Sequence, residues 1–265
     1  MKRLRQILRA VRAQMRAAWM TAMQYRLSFL GEGIVSLLWT GFTVVPLIVA
    51  YDYREGIEGW SFNECLIVVG VFIALQGILE GFIHPNLGSV VQLVRRGTLD
   101  YVLLKPLDAQ LMVSVARSTP LKLPHIGVGL ALAGVMAARL PDPPGPAQAG
   151  VALLLLLCAT AILYSIYVFI VSTSFWFVRV DNLSFLLISV LDTGRFPVVF
   201  YTGAVRVFLT FILPVGMMTT YPALALRGLL SPRGALTALA VAAAFLLASR
   251  LVWRTAIRRY SSASS

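Results

Sequence analysis

Residues able to carry catalysis or hold a metal are sparse and far apart in this chain. His84 and His125 are the only histidines, and Cys65 and Cys158 the only cysteines, each cysteine inside an apolar run. Two thiols so placed read as small buried hydrophobes rather than as a disulfide or a metal site. Neither histidine has acidic partners at catalytic-motif spacing, and neither H-E-x-x-H nor G-x-S-x-G occurs. The only lysines, Lys2, Lys105 and Lys122, lie outside any Gly-rich loop, and no G-x-x-x-x-G-K-[ST] is present. The sequence therefore offers no phosphate cradle of the P-loop kind. Gln76, Glu80 and Asp192 carry the most chemical interest, because polar groups inside apolar stretches are functional candidates. Glu80 lies about a turn from the end of its stretch, so a snorkelling or hydrogen-bonded carboxylate competes with a proton or substrate site as its reading.

The elements around these residues are apolar. Of 265 residues, 58% are hydrophobic and 13% charged, with a mean hydropathy of +0.82. Soluble domains carry about 25% charged residues, so the composition predicts an all-α integral membrane protein. The formal net charge is +12. Its basic residues flank apolar runs, as at a cytoplasmic membrane edge, which points to anionic lipid headgroups as the partner and away from nucleic acid. The expected setting is the cytoplasmic (inner) membrane, multi-pass, with both termini cytoplasmic and no cleavable signal peptide.

Residues 1–28 form the first unit. Leu4, Ile7, Leu8, Val11, Met15, Trp19 and Ala22 recur at helical spacing, while Arg5, Arg9, Arg12 and Arg16 make a separate basic stripe, and no acidic residue precedes Glu32. This pattern predicts an amphipathic helix lying on the membrane surface, anchored by those arginines. Residues 29–265 form the second unit. About 20 apolar residues cross the ~30 Å hydrocarbon core, which places spans at about 29–50, 62–83, 121–138, 151–175 and 235–253. In the second span Gly77 and Gly81 form a small-xxx-small pair suited to close helix approach. Between 182 and 234 two readings remain open. Either 182–200 is the fifth span and 203–227 dips back as broken helices, or 203–222 is the span and 182–200 an interfacial helix. Both give six spans.

One charged segment interrupts the cytoplasmic side, within a region covering 85–118. In Arg95–Asp108, Thr98 can cap a helix begun by Leu99, and Asp100 suits the positive end of its dipole. Pro106 ends it after Lys105. Leu99, Val102 and Leu103 share one side, with Tyr101 off it. A helix this short is unstable alone, so it packs either on its own subunit or into a partner's groove.

Several short motifs, whose order covers nearly the whole chain, resemble the membrane subunits of type-2 ABC exporters, in their uncharacterised permease branch. They are the basic amphipathic start, Gly97-Thr98-Leu99-Asp100, Leu104-Lys105-Pro106-Leu107, Arg195-Phe196-Pro197, and the Pro214 to Tyr221-Pro222-Ala223 region. The resemblance implies that residues 1–28 are a connecting helix. It makes Gly97, Thr98, Leu99, Asp100, Tyr101, Val102, Leu103, Lys105 and Pro106 a coupling helix for a cytosolic ATPase. Arg195, Phe196, Pro197, Pro214, Tyr221 and Pro222 would belong to a re-entrant outer gate between spans five and six, which favours the first reading of 182–234. It further implies ATP and Mg on separate ABC ATPase subunits, no cofactor on this chain, and pairing with a second copy or a related six-span permease. A secondary carrier or channel is the alternative, and an intramembrane lipid-acting enzyme a more distant one.

Overall fold

The computed structural model describes residues 16, 20, 26–53, 56–105, 107–117, 119–177 and 181–260. The expected surface helix, with Arg5, Arg9 and Arg12, lies outside the described residues, while Arg16 is helical and exposed. The described residues form helices joined by short turns, with no strand among them.

Among the described residues five helices are long and apolar enough to cross a membrane, and a sixth crossing results if one bent pair counts as a span. The first is α1 (Arg26–Asp52), peripheral and mostly exposed along its apolar face. The second is α2 (Phe62–Ile78), whose residues Cys65 to Leu75 are all buried. A π-helical turn, Leu79–Ile83, joins α2 directly to α3 (His84–Arg95). The combined rod, Phe62–Arg95, has 34 residues and a length of about 51 Å at 1.5 Å per residue. That exceeds the ~30 Å core, so α3 stands clear of it. Two short helices follow, α4 (Asp100–Leu103) and α5 (Ala109–Ser114). A 3₁₀ turn, Pro120–Lys122, then leads into α6 (Leu123–Ala138), and α7 is Pro146–Ser172.

Small residues set the central crossing of α2 on α6. A Cβ at Gly70 would lie 2.6 Å from the Gly129 carbonyl oxygen, and one at Gly77 would lie 2.7 Å from Ile126 Cγ1. Gly81 continues the line, its would-be Cβ 3.2 Å from Lys122 Cβ. The Gly77/Gly81 pair thus faces α6 and the turn before it, as close membrane-helix packing requires. The π turn is stitched to the same partner, since Thr119 N–H donates to the Gly81 carbonyl at 2.9 Å.

Neither expected fifth span is an unbroken helix. α8 (Asp181–Leu191) continues through 3₁₀ turns at Asp192–Arg195 and Val198–Phe200, separated by extended backbone at Phe196. α9 (Gly203–Val207) runs into a second π turn, Phe208–Ile212, and α10 is Val215–Leu226. The 203–212 segment meets α10 at 83°. Val198 packs on Gly216 and its N–H donates to Thr220 Oγ1 at 3.2 Å. Residues 192–200 therefore climb beside α10, while 203–212 lies across it. The remaining helix is α11 (Pro232–Ile257), packed on α7.

The end of the bundle where α2 begins carries a clasp. Ser61 and Glu64 cap α2 reciprocally, and Glu64 also meets Arg227 Nε at 2.7 Å. The Arg227 guanidinium lies 4.3 Å from the Trp60 ring centroid and donates to the Gly59 carbonyl at 3.2 Å. The far end of α10 is thereby fixed to the start of α2. At the other end of the bundle, arginines and lysines gather: Arg95, Arg96, Lys105, Arg117, Arg254, Arg258 and Arg259.

Candidate functional site

A cavity of about 380 Å³ lies between α1, α2, α6 and the turn after α8. Its charged lining comes from four separate stretches of chain: Glu32 from α1, Glu80 from the π turn, Lys122 from the turn before α6, and Asp192 with Arg195 after α8. Ser36, Thr43, Gln76 and His125 add neutral polar groups, and Val35, Trp39 and Phe72 an apolar wall. From Glu80 to Phe72 it follows about 12 Å of the α2 axis, and Phe72 lies about 15 Å below the start of α2. Glu80 itself lies about 27 Å along the rod and about 22 Å from Arg95, so the cavity occupies the half of the ~30 Å core nearer the basic end and stops short of that end.

Local structure explains each position. The π turn inserts one extra residue per turn, a feature frequent at functional sites, and it carries Glu80. Across Gly81, the Pro120–Lys122 turn brings Lys122 Nζ to 3.0 Å from Glu80 Oε2 and 2.5 Å from Glu32 Oε1. One ammonium therefore joins two helices and the start of a third. An ionisable group in a membrane span normally faces an interior and pairs there, so Glu80 is an ion-pair partner rather than a snorkelling edge residue. His125 is 8% exposed, and its Nδ1 lies 2.7 Å from Ser36 Oγ. The 3₁₀ turn puts Asp192 and Arg195 on one side, paired at 3.3 Å. Arg195 Nε also donates to the Asp192 carbonyl at 2.8 Å, and its guanidinium lies 5.8 Å from the Phe72 centroid. Above this pair Val215 presses on Gly194, where an added Cβ would lie 2.7 Å from Val215 Cγ1 and 3.7 Å from Phe72 Cδ2.

A second arrangement sits at the basic end. α3 stops at Gly97, which takes φ 64, a conformation only glycine adopts cheaply. Gly97 N–H donates to Val94 O at 3.1 Å and Thr98 N–H to Leu93 O at 2.9 Å, the paired bonds of a left-handed helix stop. Leu99 accepts the first bond of the next helix, from Leu103 N–H at 3.1 Å, so Leu99 is its N-cap, without a side-chain cap bond, and α4 begins at Asp100. Leu99 is fully buried and Val102 packs against the main core, whereas Tyr101 is 72% and Leu104 82% exposed. The apolar side expected to await a partner is thus used within the chain, and the side left to solvent is Tyr101, Leu104 and Lys105. Pro106 lies outside the described residues.

The following turn is tied to the spans. Asp108 caps α5 through Leu111 N–H at 3.0 Å and forms a two-pronged ion pair with Arg250 of α11. Arg250 also donates to Gln110 Oε1 at 2.8 Å, and Gln110 and Ser114 both reach the Tyr164 hydroxyl of α7, at 3.2 and 2.8 Å. The Arg250 guanidinium holds the Asp108 carboxyl below its ordinary value, helped by Leu111 N–H. Nearby, burial and the Asp100 charge push the Tyr260 phenol above its ordinary value.

Of the expected gate residues, Arg195 faces the cavity, Phe196 packs on the core and Pro197 is buried. Pro214 caps α10 at the 83° bend. Tyr221 packs on a small cluster of Ala152, Leu155, Ala225 and Ala238, and Pro222 is buried within α10. Sequence reasoning singled out Glu80 and Asp192 but missed Glu32 and Lys122 as site residues. Lys122, the only lysine inside a stretch otherwise apolar from Leu121 to Ala138 apart from His125, was the available signal.

No curated protein and no solved structure matches the chain. A family model described as "ABC-2 family transporter protein" does match, over residues 37–264. That stretch takes in most of α1 and every later helix, and with them the turn after Gly97, the bent pair and the cavity lining apart from Glu32, Val35 and Ser36, so the chain belongs to the ABC-2 transporter family, whose members are the membrane subunits of ABC transporters.

Proposed function

We propose that this chain is the transmembrane subunit of an ATP-driven exporter, forming a translocation path with a second permease and driven by separate cytosolic ATPase subunits that bind ATP and Mg. The observation that carries this reading is the charged cavity, which occupies the half of the spans nearer the basic end. Basic residues mark the cytoplasmic side of a membrane protein. On that rule the basic end faces the cytoplasm, the cavity is reached from inside, and α9 with α10 is the outer gate. The protein then sits in the cell membrane with both ends of the chain inside.

In this arrangement Tyr101, Leu104 and Lys105 are the surface offered to the ATPase, with Gly97 and the buried Leu99 setting its pose. Force on α4 passes to α3, hence to the π turn and Glu80, and through Asp108 and Arg250 to α11. ATP acts as the ligand that binds two states of the assembly with different affinity, as any such coupling requires. The test is co-purification with the partner ATPase, using the Tyr101→Ala, Leu104→Asp double variant. Loss of ATPase from an otherwise intact membrane subunit is expected, and undiminished co-purification with undiminished transport overturns the assignment. The ion-lined cavity also suits an ion-coupled carrier. Uptake into inverted vesicles that proceeds without ATP and collapses with the ion gradient selects that reading instead.

A further inference from the structure

We propose that the cavity binds the ammonium group of an amphipathic cation. Among the described residues the lining carries three carboxylates, Glu32, Glu80 and Asp192, against two cations, Lys122 and Arg195. Both cations are already committed, Lys122 to Glu32 and Glu80 and Arg195 to Asp192. With the imidazole neutral, one negative charge is left over in a space walled by apolar helices, where an uncompensated charge is costly. A positive ligand removes that cost and an anion adds to it. His125 makes a second, independent case. It lines the cavity, is 8% exposed, and its Nε2 has no hydrogen-bond partner among the described residues. The Ser36 Oγ–Nδ1 bond serves either tautomer, and with the proton on Nδ1 the partnerless Nε2 carries a lone pair that suits an N–H donor. Trp39 supplies an aromatic face of the kind that attracts ammonium groups. The tail follows from the same wall, since Val35 and Trp39 belong to the exposed apolar side of α1, 44% and 63% exposed. A head held between α1 and α2 leaves its chain among those residues.

The physiological meaning of the site, export of such a cation, rests on the permease reading, but the binding itself does not. The probe is radiolabelled dodecylammonium, measured by equilibrium dialysis against the purified chain in dodecyl maltoside, with dodecanoate as the anionic counterpart. Saturable dodecylammonium binding and none for dodecanoate are expected. Glu80→Gln and Asp192→Asn each cancel the excess charge and weaken binding about tenfold or more, whereas Lys122→Gln adds to it and tightens binding. Damage to the fold weakens all three variants alike, so opposite directions identify the charge effect. Preferred dodecanoate binding, or weaker dodecylammonium binding in Lys122→Gln together with the other two, overturns the proposal. Adding phosphatidylethanolamine tells the source: competition means a lipid headgroup is the natural occupant, and no competition a free amphiphile. Binding as expected, with no ATP-dependent export of the probe from vesicles holding the full complex, leaves the site standing and refutes the export role. ATP-dependent export of dodecanoate does the reverse.

Discussion

Lys122 holds Glu80 at 3.0 Å while also reaching Glu32 at 2.5 Å, so the start of α6 is pinned to α1 and to the π turn by a single ammonium. All three side chains keep between 24% and 38% of their exposure, which lowers the worth of the cluster from that of a fully buried one. Removing one partner of a buried pair costs about 3–5 kcal/mol, and with this exposure about 1–3 kcal/mol is expected for Lys122→Met. Thermal unfolding of the purified protein checks it: Lys122→Met lowers the midpoint, and adding Glu80→Gln to it restores part of the loss, because the double variant no longer leaves two facing carboxylates.

The α2–α6 crossing makes a sharper demand. A Cβ at Gly129 would overlap the backbone nitrogen of Ala74 and lie 2.6 Å from the Gly70 carbonyl oxygen. Both neighbours are main chain and cannot rotate away. Gly129→Ala therefore forces the helices apart at a cost of about 1–3 kcal/mol, and Gly129→Leu yields little folded protein. Gly127, on the same helix with nothing within 4 Å of an added Cβ, is the control, and Gly127→Ala leaves the midpoint within about 0.5 kcal/mol of the parent. Size-exclusion profiles and thermal midpoints separate the two.

The spans, their small-residue contact and the broken character of 182–234 were legible because each is written in contiguous sequence, as length, spacing or proline placement. The cavity was not. Glu32 and Lys122 each sit beside apolar residues and read singly as membrane-edge charges, and Arg195 reads as part of an outer gate. Their pairing depends on how far α1, α6 and the turn after α8 slide along α2, which local spacing does not encode. The turn at 97 lay between these cases. Arg95-Arg96-Gly97 is a helix-stop pattern, basic residues followed by glycine. Reading Thr98 as a cap gave the following helix too early a start by one residue, since the first helical bond is accepted by the Leu99 carbonyl.

The Asp108–Arg250 pair gives a pH prediction. Asp108 titrates below its ordinary value in the folded protein, chiefly through Arg250, so it is an acid whose ionised form is favoured by folding. Its contribution is fully present above the unfolded value, about 3.9, and disappears as pH falls through the lower folded value. The carboxylate is 41% exposed, so solvent screening keeps the effect to about 1 kcal/mol or less. Thermal midpoints of the parent and of Asp108→Asn therefore differ by a constant amount from pH 7 to about pH 5 and converge below about pH 4. A gap that closes near neutrality contradicts the assignment.

Leu99 and Leu104 separate fold from interface within one short turn. Leu99 is fully buried, and Leu99→Ala removes packed atoms at a cost of about 2–5 kcal/mol, visible as a lower thermal midpoint whether or not an ATPase is present. Leu104 is 82% exposed, and Leu104→Ala leaves the midpoint of the isolated chain within about 0.5 kcal/mol. Gly97→Ala falls between the two. Its φ of 64 costs a side-chain-bearing residue about 1–2 kcal/mol, and relief of that strain re-aims α4 without unpacking the spans. If the exposed face of α4 drives the assembly, Leu104→Ala and Gly97→Ala both reduce ATPase stimulation in the reconstituted complex by more than their stability loss accounts for. Leu99→Ala reduces it only in proportion to the protein unfolded. Equal proportionality in all three assigns α4 a structural role alone.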